Sequence, residues 1–431
     1  MILLKKYSGL AFLLLLLACS QGESGVPNNP DNGDKDEDDL TESLIGAVLP
    51  DWEEGYLDIH AINTGRGEST LLILPDGTTM LVDAAGSLID PNHEIPPPAQ
   101  KPNTNVSPGK VITNYARHFI KPASNKLDYI MLSHFDPDHM GSYSDDLPMD
   151  PSGNFRMGGI TEVGANIQVD KILDRGYPDY NYPEDMTSDS RISNYMNFVD
   201  WAKTEYGASA EQVTAGRNDQ VILKHDPAKY SGFKVQNIVA NGEVWTGSGT
   251  GKTSTFPSAA EMVAAGASEN IFSIGFLLSY GGFDYFSGGD LQYNGRSDYS
   301  WRDIEAPIVN SVPAVDVMKA NHHGTAHCNS DVLLQKLKPH TVVAHVWRDV
   351  HPNPATVGRM YDADTDCQIF TTNMTDANKS RLVEYFSQMK GTQGHIVVRV
   401  EPGGDEYSVY VLDDSNEQYK VKEVYGPYQS K

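Results

Sequence analysis

Nine consecutive residues limit what this chain can fold into: Ser133-His134-Phe135-Asp136-Pro137-Asp138-His139-Met140-Gly141. Four groups of the kind that ligate metals fall within six of these positions. They follow Lys126–Ser133, a run rich in Leu, Ile and Met that reads as a strand. In extended backbone His134 and Asp136 point to the same side, because side chains two apart share a face. Pro137 then redirects the chain, so Asp138 and His139 can face a second centre. Crowded at one strand end, such groups repel one another or require partners, and a metal ion supplies them. An exposed polar loop is the plainer alternative for the segment taken alone.

The pattern recurs. Ile271–Leu278 and Asp284–Phe286 read as a strand pair around Gly281-Gly282, and Phe286-Ser287-Gly288-Gly289-Asp290 places Asp290 at a strand end. Val315–Ala320 leads into Asn321-His322-His323-Gly324, and His351-Pro352 lies beyond the strand Thr341–His345. Leu57–Ile62 alternates like a strand, Thr70–Leu74 and Thr79–Asp83 flank a Pro75-Asp76-Gly77 turn, and His395–Val400 with Tyr407–Leu412 reads as a hairpin. Lys110–Ile120 has helical spacing. Ser190 is expected to cap a helix carrying Ile192, Tyr195, Met196, Val199, Ala202 and Tyr206, with Gly207 after it. Strands, a helix, then strands again, twice over, predict a sheet-rich α/β body of four layers.

Composition narrows the function classes. The chain of 431 residues carries 58 Asp+Glu against 33 Lys+Arg, a net charge of −25. That excludes a broad basic face for extended nucleic acid and favours a small or neutral substrate. Near the start, Lys5 and Lys6 precede an apolar run ending at Leu17, about half the length a bilayer-spanning helix needs. This is a signal-peptide layout. Leu16-Leu17-Ala18-Cys19 resembles the bacterial lipobox, which implies a leader of residues 1–18 and a lipid on Cys19. Residues 19–48 hold eight acids and one lysine among Pro, Asn and Gly, a composition for a disordered tether. The expectation is a protein of the cell envelope, lipid-anchored at the outer membrane or surface of a Gram-negative bacterium. Its only membrane contact would be the lipid, and a single domain would occupy residues 49–431.

Taken in order, the motifs resemble the metallo-β-lactamase superfamily, whose signature is His-x-His-x-Asp-His followed by a later Asp and His. More narrowly they are similar to the hydrolase domain of ComEC-like DNA-uptake proteins. The matching phrases are Ala61-Ile62-Asn63-Thr64-Gly65-Arg66-Gly67-Glu68-Ser69, Leu74-Pro75-Asp76-Gly77, Leu81-Val82-Asp83-Ala84-Ala85-Gly86, the His134–Gly141 segment, Gly288-Gly289-Asp290, His322-His323-Gly324 and His351-Pro352. The resemblance implies an αββα sandwich, two packed mixed sheets with helices outside. It implies His134 and Asp136 as ligands of one metal, Asp138 and His139 of another, and Asp290 as a bridge. His323 would close the second site, with His322 the neighbouring candidate, and Asp83 would support the ligands from behind. The cofactor would be one or two Zn²⁺, with Mn²⁺ a rival because the carboxylate share is high. Asp136 departs from the superfamily's His, and between residues 142 and 289 His225 is the single histidine, read here as a surface residue.

These readings lead to an exported hydrolase that turns metal-activated water on a phosphodiester or related ester. Asp138 would also orient that water, and His351 would either donate to the leaving group or back up the ligands. The alternatives are a surface-displayed binding lipoprotein with a degenerate site, and an amide or lactone hydrolase. Arg66 either meets an anion or belongs to a tight connection. Gly247–Thr253 lacks the phosphate-loop spacing and reads as a flexible loop. Cys328 and Cys367 are the remaining thiols, and whether they pair is open.

Overall fold

The computed structural model describes residues 44–87, 98–121, 123–293 and 299–431. The leader, Cys19 and the acidic run lie outside the described residues.

Strands here are built from runs that are apolar on both faces. Leu71, Leu72, Ile73 and Leu74 are all fully buried. Leu71 and Ile73 enter one core while Leu72 and Leu74 enter another. Such a strand must be covered on both sides. The chain lays down β1 (Leu57–Ala61), β2 (Thr70–Ile73), β3 (Thr79–Val82), β4 (Leu127–Met131), β5 (Val169–Asp174) and β6 (Ser209–Gln212) in a first sheet. It then builds a second sheet from β7 (Lys234–Ala240), β8 (Glu243–Trp245), β9 (Lys252–Ser254), β10 (Gly275–Tyr280), β11 (Phe283–Ser287), β12 (Val317–Lys319), β13 (Thr341–Ala344) and β14 (Gln368–Thr371). Finally it returns to the first with β15 (His395–Val400), β16 (Glu406–Leu412) and β17 (Val421–Gln429). The first sheet has the order β17-β16-β15-β1-β2-β3-β4-β5-β6, and the second β14-β13-β12-β11-β10-β7-β8-β9.

Ile59, Met80, Tyr129 and Met131 of the first sheet meet Val235, Phe276, Leu278 and Val343 of the second in a central apolar layer. Outside the first sheet, Ile112, Tyr115 and Phe119 of the helix Pro108–Ile120 and Tyr195, Phe198 and Val199 of the helix Ser190–Glu205 pack on Leu71, Leu81 and Ile130. Outside the second, Leu333 and Leu337 of the helix Asp331–Leu337 and Val357 and Met360 of the helix Pro354–Ala363 pack on Leu277, Met318 and Val342. The result is the expected α/β sandwich of two packed mixed sheets with helices outside.

Local expectations differ in places. The helix Ser190–Glu205 is capped by Asp189, whose Oδ1 accepts from Arg191 N at 2.8 Å, and not by Ser190, which is already helical. Residues 269–272 form a short 3₁₀ turn, so the strand expected from Ile271 starts at Gly275. Residues 247–251 are the turn of the β8–β9 hairpin. The edge strand β17 escaped notice because Gly426 and Pro427 interrupt its alternation; an outer strand tolerates them. Cys328 and Cys367 are buried and unpaired.

Parallel pairing positions the site. β3 through β6 run parallel, and so do β11 through β14. The carboxyl ends of β3 and β4 therefore share one edge, and those of β11, β12 and β13 share another. The segment leaving β4 meets the second sheet at the residue that enters β10, where Ile274 N donates to Ser133 O at 3.0 Å.

Candidate metal centre

Apart from Glu68, which lies in the loop between β1 and β2, each side chain of the centre follows one of those strand ends. β3 delivers Asp83, which adopts a left-handed φ of 59° and is fully buried. Its carboxylate accepts from Ser133 N at 2.7 Å and from Ser133 Oγ at 2.7 Å, fixing the start of the ligand-rich segment that leaves β4. The loop between β1 and β2 is stitched to the same segment, with Glu68 N donating to Asp138 O at 2.8 Å. Gly67 makes that approach possible: a Cβ there would lie 2.2 Å from Asp138 O. β11 leads to Asp290, and β12 to Lys319, His322 and His323. Both histidines are left-handed, with φ of 46° and 56°, a conformation costing roughly 1–2 kcal/mol per residue. The turn is held because buried Glu305 accepts from Asn321 Nδ2 at 2.9 Å and from Asn329 N and Ser330 N, each at 2.6 Å.

Three imidazoles are oriented alike. Ser133 Oγ gives its proton to Asp83, so His134 Nδ1–H donates to Ser133 Oγ at 3.0 Å. His139 Nδ1–H donates to Asp83 Oδ2 at 2.8 Å, and His323 Nδ1–H to the carbonyl of His345 at 3.1 Å. These tautomers are assigned from the hydrogen-bond partners. Each ring thus spends its proton at Nδ1 and presents an Nε2 lone pair to one space. Carboxylates face those lone pairs: His139 Nε2 lies 3.2 Å from Asp290 Oδ1, and His323 Nε2 lies 3.0 Å from Asp138 Oδ2 and 3.6 Å from Asp290 Oδ2. Among the described residues, His134 Nε2, His139 Nε2 and Asp290 Oδ1 are buried without a hydrogen bond.

The field is strongly unbalanced. Burial works to lower the His139 pKa, yet Asp290, Asp83 and Asp138 hold it well above the usual imidazole value. His134 is raised against its own burial by Asp136 and Asp290. Burial works to raise Asp290, but His139, His323 and His322 bring it well below the carboxylate range. Burial raises Glu68, and Lys319 partly offsets that. His322 and His351 are lowered by burial. In short, the carboxylates here demand a cation. A lone pair facing a carboxylate at about 3 Å is repulsive unless a proton or a metal ion lies between them.

Glu68, His139, Asp290 and His323 each offer a ligand atom within 4.8 Å of all the others. Asp138 touches this group through His323. His134 Nε2 lies 3.7 Å from Asp136 Oδ2 and 4.0 Å from Asp290 Oδ2, while His322 Nε2 is 3.7 Å from that same oxygen. Asp290 therefore stands between two sets of ligand atoms. Asp136 is the exposed member, with a third of its side chain open. His351 is buried and stacks on His323 with centroids 4.7 Å apart. His225 sits at the opposite end of β4, 3.8 Å from Asp128, outside the group. Arg66 donates to the carbonyls of Gly65 and Pro98 at 2.6 and 2.7 Å, as a tight connection requires.

Sequence reasoning missed Glu68, Lys319 and Trp347. Lys319 Nζ pairs with Glu68 Oε2 at 2.8 Å, and Trp347 Nε1 donates to Asp138 Oδ2 at 3.1 Å. The two glycines flanking Arg66 were a visible signal for Glu68, since such a loop allows close backbone approach. Lys319 and Trp347 left no local signal.

Fold and centre together define a four-layered α/β protein with a buried imidazole–carboxylate group that fits a divalent cation. No family model matches the chain, and no curated protein matches it. Solved structures do. A protein of Parabacteroides distasonis described as a metal-dependent hydrolase is 13% identical over 73% of this chain and 92% of its own, with a TM-score of 0.34. Zinc-bound PqqB of Methylobacterium extorquens is 11% identical over 79% and 99%, with a TM-score of 0.35. The short form of human tRNase Z is 10% identical over 74% and 93%, with a TM-score of 0.32.

Proposed function

We propose that this chain is an exported, lipid-anchored, metal-dependent hydrolase of phosphodiesters or related esters. The observation that carries the reading is the set of three imidazoles, each with its proton spent at Nδ1 and its Nε2 aimed among carboxylates. His134 and Asp136 would hold one ion, Asp138, His139 and His323 a second, and Asp290 would serve both, with Zn²⁺ or Mn²⁺ suiting this donor set. A divalent ion bound there lowers the pKa of water to roughly 7 and offsets negative charge developing on a substrate oxygen. The chain's own residues supply the rest. Asp138 orients the attacking water, its Oδ2 steadied by the Trp347 indole N–H. His351 supports the His323 ring by stacking and is too enclosed, at 3% exposure, to meet a leaving group.

A groove of about 460 Å³ opens beside Asp136, lined by Glu184, Asp185, Asp189 and Glu269 with Arg191 among them. Its charge disfavours a polyanion, which supports a short ester over long nucleic acid. Cys19 would supply the anchor, and no helix among the described residues is long and apolar enough to cross a membrane.

The test is metal stoichiometry of the purified chain measured with turnover of bis(p-nitrophenyl) phosphate. Asp138→Ala should lower turnover at least a hundredfold, about 3 kcal/mol in the barrier, with the fold kept. A parent protein that holds no metal and turns over no phosphate, carboxylic or amide ester sinks the reading in favour of a binding lipoprotein.

A further inference from the structure

Lys319 is a buried lysine at the heart of the centre, with 2% of its side chain exposed. It is the last residue of β12, paired in register with Val343, so its ammonium hangs from a fixed point of the second sheet. An ammonium has three protons to donate and accepts nothing. Three oxygens surround this one: Gly289 O at 2.5 Å, Glu68 Oε2 at 2.8 Å and Asp290 Oδ1 at 3.6 Å.

These contacts fix more than charge. The carbonyl of Gly289 and the N–H of Asp290 belong to one peptide unit. Lys319 Nζ donates to that carbonyl, and the N–H donates to Ser273 Oγ at 3.0 Å, so the peptide plane is pinned at both ends. His322 N donates to the same carbonyl at 3.1 Å, which ties the double-histidine turn to the Asp290 loop. Gly289 itself is left-handed, and a Cβ there would press on Ser273 and Ser133 at 3.1–3.2 Å. The orientation of this peptide sets where the Asp290 carboxylate points.

We propose that Lys319 is a positioning residue of the metal centre, its ammonium holding the Gly289–Asp290 peptide and the Glu68 carboxylate so that Asp290 stays aimed between the two sets of ligands. The proposal rests on the metal-centre reading. It distinguishes Lys319 from a lysine that merely stabilises the fold, because a fixed Asp290 lowers the reorganisation needed when an ion arrives.

Cobalt(II) binding to the full chain tests it, read as affinity and as the visible ligand-field bands, with the thermal midpoint followed in parallel. Lys319→Met alone leaves Glu68 buried without its cation and risks the fold. The decisive comparison is therefore Glu68→Gln against Glu68→Gln/Lys319→Met, neither of which buries an unpaired carboxylate at position 68. The double variant should bind cobalt at least tenfold more weakly than Glu68→Gln, with shifted ligand-field bands. Equal affinity and identical bands in the two variants would overturn the role of Lys319 while leaving the metal centre standing. A parent chain that binds no cobalt would remove the metal-centre reading and this proposal with it.

Discussion

Asp83→Asn is the sharpest perturbation of the centre, because it changes one charge and almost no volume. Asp83 Oδ1 accepts from a backbone N–H, that of Ser133, at 2.7 Å. That donor is buried and has to keep an acceptor, so the amide oxygen of the asparagine must occupy this place. The amide NH₂ then takes the place of Oδ2, facing Ser133 Oγ and His139 Nδ1, which now lie 2.7 and 2.8 Å away. Serine can reverse its hydroxyl and accept. His139 cannot keep its proton at Nδ1 against an N–H, so it changes tautomer and protonates Nε2, the atom that faces Asp290. Binding an ion through His139 would then require reversing that change, at the cost of a charge-assisted hydrogen bond of about 1.5–3 kcal/mol. Loss of such an outer partner costs on the order of 10- to 100-fold in metal affinity. The assay is competition for zinc against a chromophoric chelator, with circular dichroism confirming the fold. Unchanged affinity in a folded Asp83→Asn protein would refute the tautomer argument, and so would a loss fully explained by a lower thermal midpoint.

Other expectations are independent of that one. His395 is fully enclosed and its Nδ1 accepts from Asn63 N at 3.0 Å; burial pushes its pKa from 6.5 down to about 3. A folded-state pKa below the unfolded one means stability is complete above pH 6.5 and is lost as pH falls toward 3, by about 3 kcal/mol at pH 4 from this residue. His395→Gln, which can still accept from Asn63, should flatten the denaturant-midpoint curve between pH 6.5 and 4; parallel curves for parent and variant would count against a neutral buried imidazole. Cys19→Ser should release the protein from washed membranes, because the proposed anchor is a lipid on that thiol; persistent association would overturn the lipoprotein proposal.

The layered architecture was legible because its strands are contiguous apolar runs and its helices have a clear period. The segments Lys126–Ser133 and Lys110–Ile120 each declare their state within a dozen residues. The region from 145 to 260 did not. β5 alternates imperfectly and β6 is four residues of Ser, Ala, Glu and Gln, held by pairing with β5 and not by any preference of its own. The candidate ligands His134, Asp136, Asp138, His139, Asp290, His322 and His323 could be picked out because each sits where an apolar run stops at polar residues. That is a local property, written in neighbouring positions.

What the chain alone determined, then, was which short segments carry ligand chemistry and that strands deliver them. Their meeting was decided by tertiary structure. Parallel pairing of β3 with β4 brings Asp83 to His139, and the packing of the two sheets brings Lys319, at the end of β12, to Glu68 of the β1–β2 loop across 251 positions of sequence. Lysine at the end of one strand and glutamate in a loop have no periodic or spacing relation to each other. Their partnership exists because burial leaves an ammonium no water to bind, so it takes the oxygens that the fold sets within reach.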